Sequence, residues 1–457
     1  MPPNQAASRE PLDKPAKAAL LAIGLVWLVT VAGGGSARAD VIYLVPVRLA
    51  AVIGIAALLL LIPRERLWLQ RAPLLFIGLI ALLIGLQLVP LPPAIWTSLP
   101  GREPYAALAG IPGFEGLWRP LSLAPDLTWN SLLSLSTPLF FLIAIPVLGR
   151  RARGWVLLGL LVTIIASAFL GLLQLAGGTE SSLRYYQYVS NTSAVGFFAN
   201  RNHEAVFLAF GIPIAFWWAL QEDDSPRRTR ARMIIAAVVT LFLMTAALTT
   251  QSRTGAIIVG LALALSALYA LRRRGFGKIG LLMVAGGLAV SAALAFAAYK
   301  TWAEDRQTLT SAADDLRVQI LPESLEALRT YFPAGAGFGA FPQAFMRFES
   351  VEDLGPQYVN HTHSEVTQIV IEGGIVSILL FIAWLGWFAR AVWSAWRKRG
   401  GAAVSEMQLC TALIILPVLA SVTDYPLRTP IMAAALALLA ALYSSAAERE
   451  RSRAGRA

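Results

Sequence analysis

The stretch MIIAAVVTLFLMTAALTTQSRTGAIIVGLALALSALYALRRR, residues 233–274, decides the fold class. It contains two continuous apolar runs, 233–250 and 254–271, with a short polar turn between them and three arginines after them. Each run is close to the ~20 residues that a helix needs to cross the hydrocarbon core of a bilayer. Because the runs are continuous rather than alternating, they predict a pair of membrane helices and not β-strands.

Similar runs recur along the whole chain. Of the 457 residues, 57% are hydrophobic and only 14% are charged, against about 25% charged in an ordinary soluble domain. We therefore expect an all-α polytopic membrane protein, with a single transmembrane domain over residues 1–457. Its twelve predicted spans are 18–35, 42–63, 72–91, 131–149, 155–176, 203–220, 233–250, 254–271, 279–299, 367–389, 407–424 and 430–447.

Short basic loops give the orientation. Arginines follow every even-numbered span, beginning with Arg64 after the second and Arg150 after the fourth, and positively charged loops stay in the cytoplasm. This pattern predicts that both termini are cytoplasmic. The net charge of +11 then marks one side of a membrane rather than a nucleic-acid partner.

The first apolar segment has two interpretations. KPAKAALLAIGLVWLVTVAGGGSARAD, residues 14–40, resembles a signal peptide with a cleavage site at 37–39. A retained first helix is the preferred interpretation, and cleavage would leave the rest of the topology unchanged.

The predicted outer side holds the polar segments of the chain. The largest of them, 300–366, is expected to carry part of an active site. It contains LRVQILPESLEALRTYF (316–332), whose leucine spacing, interrupted by Pro322, predicts helices across the outer membrane surface, and the glycine-rich PAGAGFGAF (333–341), which permits close backbone approach. The other outer segments are 92–130, 177–202, 250–254 and 424–429.

Two arginines at the outer mouths of spans predict an anion site. Arg253 lies between two apolar runs with no loop of its own, and an arginine deep in a membrane costs at least ~2.5–3.5 kcal/mol. It therefore either points into a polar cavity or snorkels to the interface. Arg201 lies beside His203, either as a second anion ligand or as an ordinary loop arginine. One guanidinium group can bind two phosphate oxygens at once, so Arg201 and Arg253 together suit a diphosphate.

All three histidines of the chain fall on the outer side or within a turn of it. His363 precedes a span and is a candidate general base at neutral pH, with helix capping as the alternative. His361 is interpreted as its structural partner. A zinc site built from these two with Glu365 or His203 is a weaker alternative, and the single cysteine, Cys410, excludes a cysteine-based site.

Common catalytic motifs are missing. The chain has no Walker loop, HExxH, GxSxG or Asp-x-Asp motif. Nucleotide-sugar chemistry inside the cell is therefore disfavoured, and we expect no cofactor and no metal.

Four pieces, in this order, resemble the O-antigen ligase and polymerase family of bacterial envelope enzymes over roughly residues 121–443. The pieces are GFFANRNHEAVFLAF (196–210), LTTQSRTGAIIVG (248–260), the arginine, helix and glycine turn within 316–341, and HTHSEVTQIVIEGGIVS (361–377). His363, Ser364 and Gly374 fit the ligase form of the last piece. Its final position is usually Gly, Thr or Tyr and here is Ser377.

The resemblance implies a GT-C-like fold and an inverting, metal-independent glycosyltransferase at the periplasmic face of the bacterial inner membrane. The donor would be a glycan on undecaprenyl diphosphate. The acceptor would be a hydroxyl of lipid A–core in a ligase, or another lipid-linked repeat in a polymerase.

The family's essential residues map onto this chain one by one. Its histidine maps onto His363 as the base, and its arginines map onto Arg201 and Arg253. A further set is expected to bind the diphosphate or the glycan: His203, Asn202, Arg184, Arg317, Arg329, His361 and Arg428. Arg184 would replace an arginine that relatives carry closer to the Gly-Phe segment. Asp424 and Arg428 either face the cleft or form a solvated ion pair.

Two other classes remain open at this point. A transporter or flippase would share the twelve spans, but it usually has inverted repeats and polar groups at mid-membrane. A protein O-glycosyltransferase would use the same chemistry on a serine or threonine.

Overall fold

The computed structural model describes residues 12–63, 65, 71–108, 111–113, 116–221, 225–274, 319–351 and 358–455. Most of this is helical, and two short strands, β1 Pro90–Leu91 and β2 Arg119–Pro120, pair antiparallel. The helices are α1 Lys14–Gly33, α2 Leu44–Leu61, α3 Arg71–Leu86, α4 Pro93–Trp96, α5 Glu103–Leu108, α6 Pro125–Ser134, α7 Ser136–Ala144, α8 Arg150–Ala176, α9 Arg201–Ala219, α10 Pro226–Thr249, α11 Arg253–Arg274, α12 Leu321–Tyr331, α13 Phe341–Phe345, α14 Glu365–Arg397, α15 Ala402–Ala420 and α16 Pro430–Ala454. Short 3₁₀ turns, Ile145–Val147 and Pro426–Arg428, precede α8 and α16.

Within the described residues, nine helical segments are long and apolar enough to cross a membrane. They are α1, α2, α6 to α7 with the following 3₁₀ turn, α8, α10, α11, α14, α15 and α16. They coincide with nine of the predicted spans, and the all-α polytopic fold is confirmed. Of the remaining predictions, 72–91 is the shorter α3, 203–220 is α9 with its polar first turn, and 279–299 lies outside the described residues. The count of twelve stays a prediction.

Several predicted boundaries were displaced. The span expected at 131–149 begins at Pro125, because a proline is pre-organised for the first turn of a helix. The span expected at 407–424 ends at Ala420, which leaves residues 421–429 as a loop that the candidate site uses. Pro322 does not interrupt a helix as expected: it lies in the first turn of α12.

Helix α9 is the centre of the bundle. Its residues from His203 to Ala215 are all buried, and it packs against α8, α10, α11 and α15. A helix that is apolar all round is stable only when other helices surround it. Gly255 of α11 lets that helix approach closely, since an added Cβ would lie 2.2 Å from Cβ of Ala205. The polar first turn of α9 is thereby fixed at one end of the bundle axis.

Helix α14 is broken at Gly374. This residue has φ 59° and ψ −151°, a backbone conformation that residues other than glycine rarely adopt. The break leaves the carbonyls of Ile371 and Glu372 and the amide of Ile375 without their normal helical partners. In an apolar environment each such group would cost several kcal/mol unless it found another partner.

The glycine turn, residues 333–339, fills the break in α14. Its three glycines, at 335, 337 and 339, all have positive φ. Gly335 must also lie against α14, because an added Cβ would be 2.6 Å from the Glu372 carbonyl oxygen. The hydrogen bonds that repair the break run from Ala336 N to Ile371 O (2.8 Å), from Gly337 N to Glu372 O (2.9 Å) and from Ile375 N to Pro333 O (2.9 Å).

Two side chains complete the repair. Gln87, just after α3, donates from Nε2 to the Glu372 carbonyl at 3.0 Å and accepts from the Phe338 amide at 2.9 Å. Ser377 Oγ lies 2.7 Å from the Gly374 carbonyl and 2.8 Å from that of Ile369. The Ser377 hydroxyl thus donates to carbonyls on both sides of the break.

Replacing Gly374 should destabilise the protein. In Gly374→Ala the new Cβ would lie 2.1 Å from the Pro333 carbonyl oxygen, in addition to the strained φ. We expect a loss of about 3 kcal/mol or more, measured as a fall in the thermal unfolding midpoint of the purified protein in detergent.

Gly386→Ala is the matched control, because it lies on the same helix with nothing within 4 Å of an added Cβ. It should be neutral or raise stability by about 0.5–1 kcal/mol. Equal effects of the two substitutions would contradict the account of the break.

Candidate functional site

Two helix N-termini meet at one end of the bundle, and each begins with an arginine. Helix α9 begins at Arg201 and α11 at Arg253. The residues beside them are joined, because Ser252 Oγ donates to Asn202 Oδ1 at 2.7 Å. Both arginine side chains are partly exposed. The structure therefore brings the two predicted arginines to adjacent helix ends.

Local capping explains why the helices begin there. The Asn200 side chain accepts from the amide of Asn202, at 2.8 Å, as the N-cap of α9. Ser252 Oγ accepts from the amide of Gly255 at 2.9 Å and so caps α11. Gln251 precedes it with φ 54°, a left-handed turn that reverses the chain. The dipoles of the two helices make this place electropositive.

The segment before α9 is held in place by side chains of α8. Gln174 of α8 accepts from the Gly196 amide at 2.9 Å and donates to its carbonyl at 2.9 Å. Gly196 has φ 53°, and an added Cβ would lie 2.2 Å from Ser167 Oγ and 2.6 Å from the Glu204 carboxylate. Glu204 is fully buried and accepts from Ser167 Oγ at 2.7 Å. This clamp explains the glycine of the GFFANRNH piece.

All three histidines surround Tyr425. The ring centroids of His203, His361 and His363 lie 5.1, 4.3 and 5.2 Å from that of Tyr425. Tyr425 belongs to the loop between α15 and α16, and this loop also meets α11, where the hydroxyls of Thr254 and Thr423 lie 3.2 Å apart. The polar segment with His203 and the polar segment with His361 and His363 are thus one cluster in space.

Burial separates the three histidines. His203 is 1% exposed and His361 is 7% exposed, whereas His363 is partly accessible. His203 Nε2 lies 3.4 Å from Oδ1 of the buried Asp424, an ion-pair distance if the ring is protonated. His363 has φ 57° and is followed by Ser364, which caps α14. Of the three rings, that of His363 has access to a substrate.

His361 belongs to a buried hydrogen-bond chain. Its Nε2 faces the carbonyl oxygen of Ala37 at 3.3 Å, and its Nδ1 lies 3.0 Å from Nε2 of Gln368. We assign the hydrogen to Nε2 on this basis, so that Nδ1 accepts. Gln368 also donates to Glu372 at 2.9 Å. Burial, together with the positive charge of Arg428, lowers the pKa of His361, and the ring is neutral.

Arg428 pairs with α14 rather than with Asp424. Its Nε lies 3.2 Å from the Glu365 carboxylate and its Nη2 lies 3.0 Å from that of Glu372, which is fully buried. Although burial alone would lower it, the two carboxylates raise the pKa of Arg428. The solvated ion pair with Asp424, one of the two sequence interpretations, was wrong: the carboxylates that Arg428 binds lie within α14, two and nine residues after His363.

The other predicted residues lie further out. Arg184 donates to the backbone carbonyls of Ser190 and Ser193, at 2.9 and 2.8 Å, and so holds its own loop. Arg329 is exposed in the last turn of α12, just before the glycine turn. Arg317 lies outside the described residues. Substrate binding by these three, and by Asn202, His203, His361 and Arg428, stays a prediction.

Sequence reasoning missed the residues that assemble the cluster. Tyr425 gave no signal of its own beyond standing next to Asp424. Glu365, Gln368 and Glu372 did give one, because at i, i+3 and i+7 they form a polar stripe on an apolar helix. An acidic side chain in a membrane helix is costly unless it pairs with a cation, and Arg428 is that cation.

Among the residues that the structure describes, no group of three or more His, Cys, Asp or Glu side chains is arranged to hold a metal ion. Both ring nitrogens of His361 are committed to the chain of hydrogen bonds described above.

Fold and site together define a polytopic helical membrane protein with arginines, histidines and helix N-termini gathered at one end. Residues 235–382 match the family model described as O-antigen ligase. The match confirms the resemblance found in the sequence and supports membership of the O-antigen ligase family. It includes Arg253, His361, His363 and Gly374. No curated protein matches the chain. The family supports ligase- or polymerase-type glycan transfer in general, with lipid-linked glycans as substrates.

Acid should destabilise the protein partly through His361. Folding lowers the pKa of the His361 ring, so the unfolded chain binds a proton more readily than the folded protein. The contribution of the neutral ring to the free energy of unfolding is therefore complete above the unfolded-state pKa and is lost as the pH falls below that pKa. Going from about pH 7.5 to about pH 5.5 should cost about 1 kcal/mol from this residue. The measurement is the unfolding midpoint of the purified protein against pH.

His361→Gln provides the comparison. It removes the titrating ring and keeps a side chain that can donate to Ala37 O, while His203 and His363 are unchanged. The variant should therefore lose less stability on acidification than the parent protein. An unchanged pH dependence would mean that His361 does not titrate in this range.

Proposed function

We propose that the protein transfers a glycan from undecaprenyl diphosphate to an acceptor sugar hydroxyl at the periplasmic face of the bacterial inner membrane, most simply as an O-antigen ligase acting on lipid A–core. One observation carries the proposal: Arg201, Arg253 and His363 are all partly exposed around a shared, buried frame that contains Tyr425. The geometry supports a site with two halves: the two arginines bind an anion, and His363 acts as the general base.

The arginines form the anion-binding half. A diphosphate is already a good leaving group, and it needs positive charge more than it needs a proton. Arg201 and Arg253 supply two guanidinium groups, each at a helix N-terminus whose dipole favours negative charge. In this proposal they hold the diphosphate and neutralise the charge that develops on it, which is the role a metal ion would otherwise fill.

His363 forms the basic half. It would take the proton of the acceptor hydroxyl while the hydroxyl oxygen bonds to the anomeric carbon and the bond to the diphosphate oxygen breaks. Undecaprenyl diphosphate leaves as an anion on the arginines. Attack from the face opposite the leaving group inverts the configuration of that carbon.

The buried residues would position His363 rather than react. Tyr425 packs against its ring at 5.2 Å, and the same tyrosine rests on His203 and His361. Asp424 accepts from the Tyr425 amide at 2.8 Å and faces His203. This arrangement supports positioning roles for His203, His361 and Asp424 and a proton-transfer role for the accessible ring of His363.

Replacing His363 should abolish most of the transfer. His363→Ala removes the base, and we expect the rate to fall by about 10²–10⁴-fold. Arg201→Lys and Arg253→Lys keep the charge but lose paired hydrogen bonding to phosphate, so we expect clear losses in those variants too. Transfer is measured with purified protein, a lipid-linked glycan and lipid A–core.

Arg184→Lys is the matched control for the arginine variants, because Arg184 binds loop carbonyls and should affect stability more than turnover. Full activity in a well-folded His363→Ala variant would sink the proposed mechanism.

The same assay separates ligase from polymerase. Glycosylation of lipid A–core is the expected result. Longer lipid-linked chains without acceptor glycosylation would assign the protein as a polymerase, since both activities share these motifs. Transport of intact lipid-linked glycan without any transfer would favour a flippase.

A further inference from the structure

A second polar site lies at the opposite end of the bundle. Helix α16 starts two residues after Arg428, and Arg449 lies near its other end. At ~1.5 Å per residue the two arginines are separated by ~30 Å, about the thickness of the hydrocarbon core. The histidine cluster and this second site therefore lie at opposite membrane surfaces, and the second one is at the end that the basic loops predict to be cytoplasmic.

The site is an open cavity of ≈ 470 Å³ between the 3₁₀ turn before α8, the start of α8 and the end of α16. It has an apolar wall and a basic wall. Its lining residues are Pro146, Leu148, Arg153, Ser445, Glu448, Arg449, Ser452 and Arg453.

Two arginines with buried side-chain nitrogens are the unusual feature of this cavity. Arg153 is only 5% exposed, and its Nε lies 3.5 Å from Glu406, without hydrogen-bond geometry. Arg449 donates from Nη2 to the same carboxylate at 2.7 Å. Its Nη1 is buried and donates to no atom of the described chain. Burying a guanidinium nitrogen without an acceptor is costly, so this geometry suits a site that receives an oxyanion.

Local charge favours an anion as well. Three arginines line the cavity, Arg153, Arg449 and Arg453, against one glutamate, Glu448. Glu448 also lies 3.6 Å from Arg451, which is outside the lining, and Glu406 pairs with Arg153 and Arg449. Helix α8 begins at the cavity with Gly149 as its N-cap, and no side chain caps its first amides. The N-terminal end of a 27-residue helix adds a further positive potential.

We propose that this cavity binds the phosphate group of an anionic lipid headgroup. The arginines and the α8 N-terminus would hold the phosphate, Ser452 would donate to it, and the apolar wall of Pro146 and Leu148 would adjoin the start of the acyl chains. Basic pockets between membrane helices are known to accept phosphate headgroups. A soluble phosphate shares the headgroup chemistry but would make no use of the apolar wall or of a position at the membrane surface.

Lipid titration tests the proposal. The full-length protein in detergent is titrated with mixed micelles of phosphatidylglycerol, of phosphatidylcholine, or with inorganic phosphate, and the unfolding midpoint is followed, since a ligand that binds only the folded state raises it. Phosphatidylglycerol should raise the midpoint most. In Arg449→Gln/Arg453→Gln its apparent affinity should fall about tenfold.

A matched pair of single variants protects the test against misfolding. Arg453 and Arg451 both lie in the last turns of α16 and both are exposed, but Arg453 lines the cavity and Arg451 does not. Arg453→Gln should weaken phosphatidylglycerol binding, and Arg451→Gln should leave it nearly unchanged.

Three results are decisive. Equal stabilisation by phosphatidylglycerol and phosphatidylcholine would overturn the proposal, as would equal losses in the two single variants. Saturable stabilisation by inorganic phosphate at least as strong as that by the lipid would keep the phosphate site and overturn the lipid assignment. None of these results depends on glycan transfer.

Discussion

The break in α14 is the constraint on which the histidine-bearing end of the molecule depends. A membrane helix normally satisfies all its backbone groups internally, and a break is stable only where another segment supplies the missing partners. Here the glycine turn does so through three backbone hydrogen bonds, with Gln87 and Ser377 as additional partners. The large loop is therefore tied to the bundle at the level of Gly374, nine residues into the helix.

The same turn of α14 carries the charge network. Glu372 uses its backbone carbonyl to hold the glycine turn and its carboxylate to hold Arg428 and Gln368. Gln368 in turn fixes His361, and His361 packs on Tyr425. A chain of contacts thus runs from the repaired break to the ring against which His363 rests. Removing one partner of such a buried ion pair is expensive, about 3–5 kcal/mol, so this chain is a rigid frame rather than a loose arrangement.

The sequence predicted the bundle and the accessible half of the site. Eleven of the continuous apolar runs are helices in the structure. The short polar segments beside these runs predicted Arg201, Arg253 and His363 as site residues, and the structure has all three at one end of the bundle. The frame was harder to predict. Arg428 finds its partners in α14, more than fifty residues away, and a linear pattern does not say which of several carboxylates it will meet. Tyr425 has no chemistry that marks it in isolation, and only the packing of three histidines against its ring makes it central.

Helix direction explains why the site is where it is. In the described chain α9, α11, α14 and α16 all begin at the end of the bundle that carries the histidines, and each begins after a capping side chain: Asn200, Ser252, Ser364 or Thr429. Four positive dipole ends therefore converge on the histidine cluster, and they favour a bound anion before any arginine is counted. The C-terminal ends of the same helices lie at the basic surface, where arginines such as Arg397 and Arg451 complement them. Helix α8 runs the other way, so its N-terminus lies among those arginines, next to the buried nitrogen of Arg449. One physical arrangement, an arginine beside a helix N-terminus, thus recurs at both ends of the bundle, and the three histidines lie at only one of them.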